Sequence, residues 1–123
     1  MRILLTKVNY TMGRLNLGEF EELILLTAGV LYKDAYAVAI AKEISKQGGR
    51  NVNVSAVHKS LYRLEEKGML KSWLGDAQAK RGGKRKRIFA ITPLGKKALD
   101  ESADLRARLR SQIADIAFDW KMT

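Results

Sequence analysis

The chain has 123 residues, no cysteine, one histidine, and 23 Lys+Arg against 13 Asp+Glu, a formal charge of +10. That length suits one domain with a modest core. The lack of cysteine excludes disulfides, thiolate metal sites and a cysteine nucleophile, and it fits a reducing cytoplasm, the expected location. No apolar run approaches the roughly 20 residues of a membrane span, and the N-terminus lacks a signal-peptide pattern. The charge excess predicts a polyanionic partner, with nucleic acid ahead of an anionic membrane surface.

Residues 1–16 read as a basic arm or a short extra element. A helix is expected over Leu17–Tyr32. Glu19, Glu21 and Glu22 sit in its first turn, where the helix dipole favours acids. Phe20, Leu23, Ile24, Leu26, Thr27 and Val30 form its expected buried face. Lys33-Asp34-Ala35 breaks the chain. A second helix is expected over Tyr36–Lys46, with Val38, Ile40, Ala41 and Ile44 inward, and Gln47-Gly48-Gly49-Arg50 ends it.

The next stretch, Asn53 to Gly68, has both helix ends marked. Ser55 or Asn53 can cap the start and Gly68 the stop. Val54, Val57, Leu61 and Leu64 recur at helical spacing. Ser55, Lys59, Tyr62 and Arg63 then point outward, with Ala56 and His58 on the flanks. An aliphatic inner face and an outer face of hydroxyls, a lysine and an arginine suit a DNA major groove. Three helices in this order, the last two in helix-turn-helix order, make a tri-helical core.

After Gly68 the period changes to alternation. Leu70–Gly75 and Arg87–Thr92 read as strands of a β-hairpin. Lys80, Arg81, Lys84, Arg85, Lys86 and Arg87 crowd its connection and the start of its second strand, and Gly82-Gly83 would let the backbone approach a duplex closely. Such cations neutralise phosphates and add affinity without sequence information. Thr92-Pro93 signals a helix start, and the last helix is expected to run to about Trp120, some 40 Å at about 1.5 Å per residue. Leu105, Leu109, Ile113, Ile116 and Trp120 recur every three or four residues along it. Such a stripe overruns the small core and is expected to bury against a second copy.

Other residues carry blander readings. His58, the lone histidine, has no cysteines for a zinc site, and no serine elbow or acid pair accompanies it, so catalysis is not expected. Tyr36 either offers a hydroxyl to phosphate or packs in the core. Trp73 is expected to pack, and Trp120 to lie in the dimer interface. No metal and no cofactor are expected.

From Leu17 to Leu99 the chain resembles the PadR family of transcriptional regulators. The resemblance rests on Leu17-Gly18-Glu19-Phe20-Glu21-Glu22-Leu23-Ile24-Leu25-Leu26, on Tyr36, and on Ser55 through Gly68. It continues through Arg81-Gly82-Gly83-Lys84-Arg85-Lys86-Arg87-Ile88-Phe89 and Ile91-Thr92-Pro93-Leu94-Gly95. It departs at His58, where the family usually has an aromatic, and at Ala37, where glycine commonly follows the tyrosine. The resemblance implies a mainly α fold with a small β-hairpin: a winged helix-turn-helix followed by a long C-terminal dimerisation helix. The division would be an arm over 1–16, a DNA-binding domain over 17–92 and the dimerisation helix over 93–123. It further implies a homodimeric repressor that binds double-stranded DNA at a palindromic operator, often released by a small-molecule effector whose identity stays open. Carried over by position, Ser55, Ala56, His58 and Lys59 face bases or nearby phosphates, while Tyr36, Lys84, Arg85 and Lys86 hold the backbone. The same charges would also serve an architectural protein that coats DNA without an operator, or a module that binds an acidic protein.

Overall fold

In the computed structural model, residues 15–76 and 85–118 are described. Helix α1 (Glu19–Leu31) starts with the Glu21 carboxylate reaching back to accept the Gly18 N–H at 3.0 Å, one half of a capping box. A 3-10 turn (Tyr32–Asp34) leads to α2 (Ala37–Gly48), which Gly49 closes in the left-handed conformation (φ 70°). Helix α3 (Val54–Glu66) is capped by Asn53, whose side chain accepts from the backbone of Ser55 and Ala56. Gly68 (φ 81°) ends it in a Schellman turn: Gly68 N–H donates to the Glu65 carbonyl and Met69 N–H to that of Leu64, both at 2.9 Å.

Strands β1 (Leu70–Leu74) and β2 (Arg87–Ile91) form an antiparallel pair, with Leu70 opposite Ile91 and Ser72 opposite Phe89. On the far side of β2, Phe89 N–H donates to the Ala35 carbonyl at 2.9 Å, so the turn before α2 acts as a one-residue third strand. Helix α4 (Pro93–Ser111) then crosses back over α1, where Glu22 accepts from Ser102 Oγ and Arg106 Nη2, each at 3.0 Å. The core lies between α1, α2, α3 and the hairpin. Its largest fully buried side chains are Phe89, Ile24, Leu25, Ile40, Leu61, Leu64, Met69, Leu70 and Val57.

Three expectations are corrected. On α1 the inward residues are Glu21, Ile24, Leu25 and Ala28, while Leu26 and Val30 are exposed. At the C-terminal end of α1 the hairpin comes so close that a Cβ on Gly29 would meet Ile91 Cδ1 at 3.1 Å. Glu21 is tolerated inside because Lys67 Nζ donates to both its oxygens, at 2.9 and 3.1 Å. On α2, Val38 is exposed, and Ala37 takes the inward place beside Ile40, Ala41 and Ile44.

The third correction concerns α4, which stops at Ser111, well before Trp120. It is about 28 Å long at about 1.5 Å per residue. Arg108 and Arg110 favour an end there by meeting the negative pole of the dipole. Ser111 Oγ donates to the Arg108 carbonyl at 2.8 Å, which offers that carbonyl a partner other than the next helical turn. A second 3-10 turn, Asp115–Phe118, follows, with the Arg110 guanidinium 5.3 Å from the Phe118 ring centre. Ile113 and Ile116 therefore lie beyond the helix, although both remain exposed. Trp120 lies outside the described residues, as do residues 1–14 of the N-terminal arm.

Two packing constraints yield tests. A Cβ on Gly95 would sit 2.3 Å from the Met69 carbonyl oxygen and 2.9 Å from Ile91 Cγ2. Gly95→Ala is expected to cost about 1–3 kcal/mol, as overpacking does, and to lower the urea midpoint. Burial pushes the Glu21 carboxyl upward. The Gly18 N–H, the hydrogen-bonded Lys67 ammonium and the charges of Lys67 and Arg63 outweigh it and hold the group below its usual 4.5. The stability from ionised Glu21 is therefore complete above about pH 4.5 and is lost as pH falls through the lower folded value. Melting temperature measured against pH should drop below that point, and Glu21→Gln should flatten the drop.

Candidate nucleic-acid interface

Helix α3 buries Val57, Ser60, Leu61 and Leu64. The 3.6-residue period then leaves Ser55, Ala56, His58, Lys59, Tyr62 and Arg63 exposed to solvent. Asn53 takes the cap, so the Ser55 side chain is not needed there. The His58 and Tyr62 rings stack one turn apart, with centres 6.1 Å apart and planes at 15°. Tyr62 in turn meets the buried Phe89 ring edge-on at 6.1 Å. This aromatic series runs from the exposed face of α3 into the hairpin. Glu66 is also exposed, at the C-terminal end, so the cationic part of the face is its earlier portion, around Lys59 and Arg63.

The hairpin is joined to α3 by a polar relay. Arg87 Nη1 donates to Ser72 Oγ at 3.0 Å, and Ser72 Oγ donates to Glu65 Oε2 at 2.8 Å. Arg87 looks in sequence like one more cation of the connection, but its exposed side chain is engaged by Ser72 and helps tie both strands to the end of α3. Nothing in the local sequence separates it from Arg85 or Lys86. Only the pairing of Ser72 with Phe89, two residues on from Arg87, brings the three groups together.

At the root of β2, Arg85 and Lys86 are exposed. The Lys86 ammonium lies 4.2 Å from the centre of the Tyr36 ring, and Tyr36 itself is half-buried. The expectation that Trp73 packs away is corrected: it is 45% exposed, because its place in the strand alternation turns it outward. It shares with Tyr36, Leu74, Lys86 and Ile88 an open groove of about 790 Å³ between the start of α2 and the hairpin. Lys80, Arg81, Gly82, Gly83 and Lys84 lie outside the described residues.

The exposed face of α3 carries hydroxyl, imidazole, ammonium and guanidinium groups together. It can neutralise phosphates and donate to acceptors on base edges. Among the described residues, no group of three or more His, Asp or Glu side chains could hold a metal ion. No described helix is long and apolar enough to cross a membrane.

Away from this face, Leu105 and Leu109 are exposed on α4, followed by Ile113, Ile116 and Phe118. Leu105 and Leu109 border a groove of about 400 Å³ with Leu15, Asn16 and Leu17. Helix α1 offers a second apolar strip. Leu23, Leu26 and Val30 line a groove of about 540 Å³ against α2, with Glu19 and Glu43 among its walls.

A family model described as "Transcriptional regulator PadR-like family" matches residues 24–101. No curated protein matches in sequence. Among solved structures, the chain is similar to a PadR-like transcription factor from Bacteroides fragilis. That match has 24% identity and a TM-score of 0.63, and covers 85% of this chain and 93% of the other. A PadR family transcriptional regulator from Eggerthella lenta matches with 19% identity and a TM-score of 0.62, over 88% and 87% of the two chains. RosR from H. salinarum matches with 21% identity and a TM-score of 0.59, over 87% and 89%. At these identities the structures establish a shared winged-helix fold.

Proposed function

Because the chain belongs to the PadR-like family of transcriptional regulators, whose members bind DNA and are not enzymes, we propose that it is a cytoplasmic, dimeric repressor of a palindromic operator. The observation that carries this reading is the exposed face of α3, tied by the Glu65–Ser72–Arg87 relay to a hairpin whose root presents Arg85 and Lys86. In this reading α3 enters the major groove. Ser55, Ala56, His58 and Lys59 meet base edges and adjacent phosphates, and Tyr62 and Arg63 lie towards the backbone. The cations of the hairpin, Lys80 to Lys86, follow the strand beside it. Release by a small molecule belongs to the same reading.

Dimerisation is supported by two apolar surfaces on one chain. The Leu23–Leu26–Val30 strip on α1 has Glu19, Glu43 and Arg50 in its walls, and Arg108 and Arg110 flank Leu109 on the Leu105–Leu109 strip of α4. A two-fold axis that lays each α4 against the partner's α1 would cover both strips. To read half-sites about 34 Å apart, that axis has to leave both α3 helices on one side of the assembly.

The first test is fluorescence anisotropy with duplex from immediately upstream of the protein's own gene and with a shuffled duplex, across a salt series. A specific operator should hold a margin of about a thousandfold or more. Equal affinities that fall together with salt would favour a DNA-coating architectural protein. On an operator so found, Lys59→Ala should cost about 1–3 kcal/mol and relax base preference, while Arg85→Ala should weaken all duplexes alike and lower the salt slope by about one. Identical behaviour of the two variants would defeat the division between base and phosphate contacts. Leu109→Glu, at a position 57% exposed in the single chain, should give a monomer by light scattering. A dimer that persists would move the interface off α4.

A further inference from the structure

Lys86 immediately precedes β2, and its backbone is fixed, because its carbonyl accepts the Gly75 N–H at 2.7 Å. Its ammonium lies over the Tyr36 ring, 4.2 Å from the centre. Tyr36 is held too. Its N–H donates to the Asp34 carbonyl at 3.1 Å, and its carbonyl accepts the Ile40 N–H at 2.9 Å as the cap of α2. The preceding residue, Ala35, accepts from Phe89 of β2. Ring and lysine therefore stand on two pieces of backbone locked to each other.

A lysine at a surface normally has about 2 kcal/mol of rotamer entropy to lose when it closes on a phosphate. Here the π face restricts the side chain before any ligand arrives. An ammonium carries three donors, and those turned away from the ring remain available. The half-buried ring and the exposed ammonium fit that order of events. We propose that Tyr36 is a positioning residue for DNA binding: its ring orders the Lys86 ammonium at the root of the hairpin, and the lysine, not the tyrosine hydroxyl, meets the phosphate. This inference rests on the DNA-binding reading above.

The test uses the full chain and a fluorescein-labelled duplex of arbitrary sequence at low salt, because the contact is with phosphate. Tyr36→Phe keeps the ring and should bind as the wild type does. Tyr36→Leu should weaken binding about two- to fivefold, the measure of an exposed cation–π contact. In a Lys86→Met background, Tyr36→Leu should cost nothing more. A readout without DNA accompanies these: the Lys86 side-chain methylene protons should be shifted upfield by the ring in wild type and Tyr36→Phe, and revert in Tyr36→Leu. Tyr36→Phe binding as weakly as Tyr36→Leu would overturn the inference in favour of a hydroxyl contact, and so would additive losses in the Lys86→Met background. Wild-type chain that binds no duplex, with the ring shift intact, would overturn the proposed function and leave the ring–lysine pair as packing only.

Discussion

The Met69 carbonyl is the point on which the architecture turns. It accepts the Thr92 N–H at 3.1 Å, and the Gly95 backbone lies so close that no side chain fits between them. One residue earlier, the Gly68 carbonyl accepts from Thr92 Oγ1 at 2.6 Å, and the same hydroxyl oxygen takes the Gly95 N–H at 3.1 Å as the cap of α4. The end of α3, the start of β1, the end of β2 and the start of α4 are thereby one hydrogen-bonded knot. Register follows from it: with Met69 tied to Thr92, Leu70 must face Ile91 and Ser72 must face Phe89. The angle between α3 and the hairpin follows as well, and with it the distance from Lys59 to Lys86.

Charge is divided along the same lines. The acids that face inward each have a partner: Glu21 with Lys67, Glu22 with Ser102 and Arg106, Glu65 with Ser72. Each ties one helix to another element, and each removes a carboxylate from the outer surface. Lys59, Arg63, Arg85 and Lys86 stay exposed on the opposite account, at α3 and the hairpin root. Cations on the proposed DNA face favour fast encounter with a duplex as well as affinity.

Much of this was readable in order along the chain. Asn53 and Gly68 mark α3 because caps are local, and Thr92-Pro93 marks α4 for the same reason. The inner stripe of α3 was legible because its outer face is polar. Helix α1 defeated that reasoning, since Leu23 to Leu31 is apolar nearly all round and the periodicity has no preferred direction; Ala28 and Gly29 were the signal, as small residues where another element presses close. The end of α4 was missed because Ile113 and Ile116 keep the spacing past a stop that has neither glycine nor proline. The engagement of Arg87, the exposure of Trp73 and the meeting of Tyr36 with Lys86 depend on strand register and on the Ala35–Phe89 bond. No local window of sequence contains them.

That last bond bears on how the protein comes into being. Of the described helices α1 is made first, and although it packs on α2 and α3, its side-chain ties are to later residues: Glu21 waits for Lys67, Gly29 for Ile91, Glu22 for Ser102 and Arg106. The turn after it waits for Phe89. On a ribosome, the first three helices emerge with the inner face of α1 only partly covered and with no strand to hold Ala35. Native contacts of such long sequence separation close slowly. The unit becomes cohesive when the stretch from Thr92 to Arg106 leaves the exit tunnel, nearly at the end of the described chain. A nonsense codon early in α4 would release a chain that keeps Lys67, Phe89 and Ile91 but lacks Ser102 and Arg106, so Glu22 of α1 would lose both of its partners.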